Sequence, residues 1–130
     1  MKNGAVREDV IDYITNNYGS QPEYLWESTP TYAVFRHSNK KWFAIIMNIS
    51  KNKLGLKGEE LVDILDVKCD FITKGSLAGQ KGFFPAYHMN KEHWITVILD
   101  GSVEKDRVFN LIDISYQLTA LKKKRSLEEL

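Results

Sequence analysis

The sequence predicts an α+β fold: a single domain with a twisted antiparallel sheet flanked by an N-terminal and a C-terminal helix. Three observations predict it. Apolar residues recur at helical spacing near both ends of the chain, apolar segments of strand length separated by polar turns fill the middle, and no repeat or Pro/Gly-rich linker divides the 130 residues. The domain is read as 1–130, with the most informative residues between 31 and 120.

Arg7 to Tyr18 is the first predicted helix. Val10 and Ile14 lie four apart, and Val6 and Tyr13 widen the same stripe. Glu8 and Asp9 suit the positive N-terminal end, and Gly19 suits a stop. Gln21 to Pro30 is a loop carrying Trp26. Thr31 to Arg36 and Trp42 to Ser50 form an expected hairpin around the polar turn His37-Ser38-Asn39-Lys40-Lys41. Simple alternation puts Phe43, Ile45, Met47 and Ile49 on one face of the second strand and Trp42, Ala44 and Ile46 on the other, the pattern of a central strand. Lys51 to Gly58 is a second polar turn, followed by a strand over Leu61 to Val67.

Asp70 can cap a short helix that Gly75 and Gly79 weaken. The chain then passes Phe83-Phe84-Pro85 and enters a strand over Trp94 to Asp100. The last helix is expected from a Ser102 cap, with Glu104 and Asp106 in its first turn. Val108, Leu111, Ile112 and Ser115 supply its buried stripe, and Lys122-Lys123-Lys124-Arg125 its C-terminal end. Helices are expected over one sheet face, with the other face partly wet.

Composition narrows the class. A 15.0 kDa chain that is 43% hydrophobic and 12% aromatic can bury roughly two-thirds of its unfolded surface, so no metal or disulfide staple is needed. This excludes disordered, collagenous and disulfide-scaffold proteins. Cys69 is the only cysteine and cannot form an internal disulfide, which fits a reducing compartment. No apolar run follows Lys2 and Arg7, and no window approaches the ~18 apolar residues of a membrane span. The expected location is cytoplasmic.

Net charge is +1, but its distribution is uneven. No carboxylate lies between Ser28 and Gly58, where Arg36, Lys40, Lys41, Lys51, Lys53 and Lys57 all fall. Such a stretch is either a solvated hairpin face or a phosphate-binding one.

The densest candidate for chemistry is Tyr87-His88-Met89-Asn90-Lys91-Glu92-His93-Trp94, where polar residues sit beside large aromatics directly before a strand. With Lys40-Lys41-Trp42-Phe43-Ala44, Asp66-Val67-Lys68-Cys69-Asp70, Leu99-Asp100 and Ser115-Tyr116, this segment resembles the MmcQ/YjbR family in order and spacing, from about Tyr32 to Leu118. The matching motif residues are Lys41, Trp42, Lys68, Tyr87, His88, Asn90, Lys91, His93 and Trp94. The resemblance implies a fold similar to frataxin/CyaY and DNA binding through a double-wing arrangement of sheet hairpins. The sequence departs from the family after Asp70, where relatives commonly have proline and this chain has Phe71 opening a glycine-rich stretch. A short or irregular middle helix is expected there.

The DNA reading has its own physical basis. Lysine and arginine release counterions from phosphates, each contact steepening the salt dependence by roughly one unit. Arg36, Lys40, Lys41, Lys91 and His93 are the expected phosphate contacts, and Trp94 is expected to pack or stack. Without a recognition helix, backbone or minor-groove contact is the expected mode.

Other readings fit the same residues. His88 and His93, five apart, point to opposite faces of a regular strand, so no zinc site is expected, and no other metal or cofactor. Glu8, Asp9 and Asp12, mixed with Arg7, read as helix solvation rather than an iron surface. Cys69 reads as a small buried hydrophobe rather than a nucleophile, and no Gly-x-Ser-x-Gly or phosphate loop is present. No catalytic residue is therefore assigned. The Tyr87–Trp94 segment can also be structural, with Asn90 holding a turn, His88 bonded to backbone and Trp94 covering the sheet. A face carrying Trp42 and Trp94 can alternatively bind a protein partner or a small ligand.

Overall fold

The computed structural model describes residues 4–120. Helix α1 (Arg7–Tyr18) leads into β1 (Ala33–Arg36), β2 (Trp42–Ser50), a 3-10 turn (Lys51–Leu54) and β3 (Leu61–Lys68). Helix α2 (Phe71–Leu77), β4 (Phe83–Pro85), β5 (Trp94–Ile98) and α3 (Lys105–Thr119) follow among the described residues. The five strands form one sheet in the order β1-β2-β3-β5-β4, every pair antiparallel. This is the α+β architecture that the sequence predicts.

Local signals account for most boundaries. The Asp9 carboxylate accepts from the Val6 amide at the start of α1, and Gly19, at φ 67°, closes its end with its amide on the Thr15 carbonyl. Asp70 caps α2, its carboxylate accepting from the Thr73 amide at 2.7 Å. The helix runs only seven residues, leaving Phe71 and Ile72 exposed.

Helices α1 and α3 lie over one sheet face and are clamped together by Asp113. Its carboxylate accepts from the Tyr13 hydroxyl at 2.9 Å and from the Tyr18 hydroxyl at 2.5 Å. Burial, then the bond to Asp113, pushes the Tyr13 hydroxyl up to about 12, so it stays a donor at physiological pH. Tyr13 stacks on Phe109 and Tyr18 on Tyr116, at centroid separations of 4.1 and 3.8 Å. Phe43 meets the edges of Tyr18 and Tyr116, which docks the helix pair on β2.

Four sequence expectations need correction. The first concerns the faces of β2. The β1–β2 register shifts between Phe35 and Arg36, so that Phe35 opposes Ala44 and Arg36 opposes Trp42. Phe43 is thus the extra residue of a bulge and turns to the helix side. Ala44, Ile46 and Asn48 follow it there, Asn48 donating to Asp63, which in turn pairs with Arg7 of α1. Trp42, Ile45 and Met47 share the opposite face.

The second concerns that opposite face, which is covered rather than wet. Val34, Ile45, Met47, Ile64 and Thr96 are buried on it, beneath the loops before β1 and after β4. The third is β4, a three-residue edge strand where only a passage was expected. Its proline sits at an edge, where a missing ladder donor costs least. The fourth is the start of α3. Its N-cap is Glu104, while Ser102 bonds to Asp100 in the preceding turn. The helix ends at Thr119, and the basic run Lys122–Arg125 lies outside the described residues.

If Asp113 is the clamp, Asp113→Ala strands two half-buried hydroxyls. Urea unfolding should then show a loss of about 2–3 kcal/mol, the range for hydrogen bonds to a charged group. A loss below about 0.5 kcal/mol would show that aromatic stacking alone holds the helices together.

Candidate functional site

The Tyr87–Trp94 segment is the loop joining β4 to β5, and it folds back over the sheet face opposite the helices. Asn90 organises it. Its side-chain carbonyl accepts from the Glu92 amide at 2.7 Å, and its backbone carbonyl receives the His93 and Trp94 amides. The Cys69 amide donates to the His93 carbonyl, tying the loop to the end of β3.

The other end of the loop is fixed from below. The Tyr87 amide donates to Thr96 Oγ1 at 2.9 Å, and that hydroxyl donates to Asp66 Oδ1 at 2.5 Å. Asp66 and Thr96 face each other across β3 and β5 and are fully buried. Asp66 Oδ2 has no hydrogen-bond partner among the described residues. Burial raises this carboxyl to about 7, against a smaller lowering by the Thr96 bond and the Lys91 charge.

Two hollows open along this loop. One is an aromatic slot of about 290 Å³ walled by Trp26, Tyr32 and Trp42, floored by Ile45 and Met47, and bordered by His88 and Met89. The Trp26 ring meets Tyr32 and Trp42 edge-on, at 6.1 and 5.9 Å. The other is a cleft of about 390 Å³ between the 3-10 turn and the loop, lined by Lys53, Leu54, Phe84–His88 and Lys91. Among the described residues, no carboxylate lines either hollow. His88 borders both, packs at a tilt against Tyr87 with ring centroids 3.9 Å apart, and holds a left-handed backbone at φ 66°. Such a conformation costs a non-glycine residue on the order of 1 kcal/mol, and residues of this kind cluster at functional sites.

The predicted site residues separate into distinct groups. Lys40 and Lys41 are exposed in the β1–β2 turn, Lys40 at φ 74°. Arg36 is bound through its guanidinium to both oxygens of Glu23 and is not a free cation. Lys51 pairs with Glu60, whereas Lys40, Lys41, Lys53, Lys57 and Lys91 have no carboxylate within 4 Å among the described residues. Lys68 is half-buried opposite Trp94, its amide held by Ser115. His93 is 61% exposed, 3.9 Å from Glu92.

Trp94 is only 8% exposed, so of the two roles expected for it, packing fits and stacking on a ligand does not. Trp42 and Trp94 also do not share a hollow. Trp94 lines a separate one beside α2, with Lys74 and Leu77. The His88 ring packs at a tilt on Tyr87 and makes no backbone hydrogen bond among the described residues.

Sequence reasoning missed three contributors. Trp26 and Tyr32 lie in or beside an aperiodic loop, where no spacing signals a shared wall. Asp66 did carry a signal. Asp63 and Asp66 are three apart in one strand, so their side chains leave opposite faces, and both faces of a central strand are covered. Asp63 finds Arg7, while Asp66 has Thr96 alone.

Burial, then the neighbouring charge of Asp70, pushes the Cys69 thiol up to about 11, which suppresses the thiolate that a nucleophile needs. Among the described residues, no three His, Cys, Asp or Glu side chains gather as a metal site. No described helix is long and apolar enough to cross a membrane.

The raised Asp66 carboxyl predicts a pH-dependent stability. Folding favours its neutral form, so its contribution is full below the ordinary 3.8 and is lost as pH rises towards about 7. The penalty at high pH is on the order of 4 kcal/mol. His37 acts in the opposite sense. Its ring sits beside Tyr116, and burial lowers its pKa, so its contribution is lost as pH falls below about 6.5. Comparing Asp66→Asn with the native chain isolates the carboxyl. The variant should gain stability relative to native at about pH 8, and the gain should shrink by about pH 5. Chemical unfolding at both values checks this, and a pH-independent difference would contradict it.

Comparison with known proteins places this architecture. The YjbR family model matches residues 16–118. YyaQ of Bacillus subtilis is 43% identical over 114 residues, covering 87% of this chain and 97% of its own. YjbR of Escherichia coli K12 is 52% identical over 33 residues, 25% of this chain and 28% of its own. A crystal structure of a Pseudomonas syringae protein superposes with a TM-score of 0.84 at 47% identity, covering 88% of this chain and 98% of that one. Deinococcus radiodurans protein DR2400 shares the fold at a TM-score of 0.69 and 23% identity, over 98% of this chain and 91% of its own. With most of its length matched by the family model and by a full-length relative, this chain belongs to the YjbR family.

Proposed function

We propose that the chain is a non-catalytic DNA-binding protein that contacts the phosphate backbone through lysines on its loop-covered face. One observation carries the reading. Lys53 and Lys91, from two different loops, line the same concave cleft, and among the described residues no carboxylate joins them in its lining. Two cations lining one hollow repel each other, which a bound phosphate relieves. Lys40 and Lys41 are further exposed cations, at the β1–β2 turn. His93 is exposed enough to take part, whereas Arg36 is neutralised by Glu23.

All these cations sit on turns and loops, so backbone contact suits them better than base reading in the major groove. The alternative, a small ligand, draws its support from the aromatic slot.

The test is a titration of labelled DNA at several salt concentrations, with the native chain and a Lys53→Ala, Lys91→Ala double variant. Native binding should weaken linearly in log salt. The variant's slope on duplex should be shallower by roughly two units, since each phosphate that a lysine neutralises contributes about 0.9. No binding at low ionic strength, or an unchanged slope in the variant, would refute this placement.

A further inference from the structure

We infer that the slot between Trp26, Tyr32 and Trp42 takes an unstacked nucleobase, so that the chain binds single-stranded DNA in preference to duplex. The inference rests on the phosphate-contact reading above and adds a base site to it.

The slot is lined by three aromatic rings. Trp26 stands nearly perpendicular to both Tyr32 and Trp42, at 78° in each case, so the three rings form a box rather than a closed stack. Trp26 remains 38% exposed and is therefore reachable from solvent. The volume, about 290 Å³, is at the lower end for ligand pockets, which begin at roughly 300 Å³.

Charge selects among possible occupants. An aromatic box also suits an organic cation, but such sites gain from a nearby acid, and among the described residues this one has no carboxylate in its lining. The adjoining cleft instead carries Lys53 and Lys91. Apolar walls beside two lysines complement a ligand with a flat ring at one end and a phosphate at the other. His88 borders both hollows, so a single nucleotide unit can occupy the two together. A duplex keeps its bases paired and stacked, and extruding one costs a few kcal/mol. A single strand offers the ring without that cost, and base–aromatic stacking tolerates any sequence.

The experiment compares a labelled oligothymidine strand, an abasic strand of equal length, a duplex and thymidine monophosphate at one salt concentration. The native chain should bind the oligothymidine strand about tenfold more tightly than the abasic strand, within the range for one stacked base. Trp26→Ala should bring that ratio close to one without changing the salt slope, and Trp26→Phe should retain most of it. Equal affinity for abasic and thymidine strands would overturn the base slot and leave the phosphate reading standing. So would a ratio unaffected by Trp26→Ala, or tighter binding to duplex. Monophosphate binding as tight as the strand would make the occupant a free nucleotide and overturn the strand assignment. Absence of binding to every strand at low ionic strength would overturn both readings.

Discussion

The hydrogen-bonded chain from Asp66 through Thr96 to the Tyr87 amide fixes the loop-covered face of this protein. A loop of eight residues has many conformations, and ordering each residue costs roughly 1–2 kcal/mol of backbone entropy. Here the Tyr87 end is stitched to a buried hydroxyl, and the Trp94 end is tied by Asn90 and Cys69. Between those anchors lie His88 and Lys91, which border the two hollows. Thr96 can accept from Tyr87 and donate to Asp66 at once, because a hydroxyl carries both functions. Replacing the acid with an aliphatic residue would leave the hydroxyl's proton with no acceptor and loosen its orientation. A carboxyl in this position is thus explained by the loop it orients, despite the cost of burying it.

The bulge at Phe43 does the complementary work on the other side. Two successive residues, Phe43 and Ala44, face the helices, and Trp42 is released to the loop-covered face. Phe43 then fills the space between Tyr18, Tyr116 and His37, closing an aromatic seam that runs from α1 to α3. Without the bulge, strict alternation would put Trp42 with Ala44 and Ile46, beneath the helices where that seam already fills the volume. One inserted residue thus supplies both the helix dock and a wall of the slot.

The fold was largely legible because its signals are local and periodic. The bounds of α1 and β2 follow from stripe, cap and turn residues, and Asp70 announces α2. What escaped was set by pairing across the chain. The bulge depends on the register against β1, and β4 exists only because β5 offers it an edge. The start of α3 shifted because Asp100 takes Ser102 into the turn, leaving Glu104 as the boundary. The same division holds at the site. The Tyr87–Trp94 segment stood out by composition, and Asn90 holds a turn as its residue type suggests. Trp26 comes to Trp42 only through tertiary folding of an aperiodic loop, and Trp94 is concealed by the neighbours it packs against.

Charge placement explains how a chain of net charge +1 can present a cationic face. On the helix side two acids are matched to bases, Asp63 to Arg7 and Asp9 to Lys105. Glu23 and Glu60 neutralise Arg36 and Lys51 at the margins of the basic stretch. Lys53 and Lys91 form no ion pair within 4 Å among the described residues, and both line the same cleft. At physiological salt, exposed charges more than about 8 Å apart are largely screened from one another, so an approaching phosphate responds to the nearest lysines rather than to the molecule's total. A near-neutral total then limits indiscriminate attraction to polyanions, while the local pair still offers a defined contact. Selectivity in such a design must come from shape beside the cations, and the shape adjoining this pair is a box of aromatic rings.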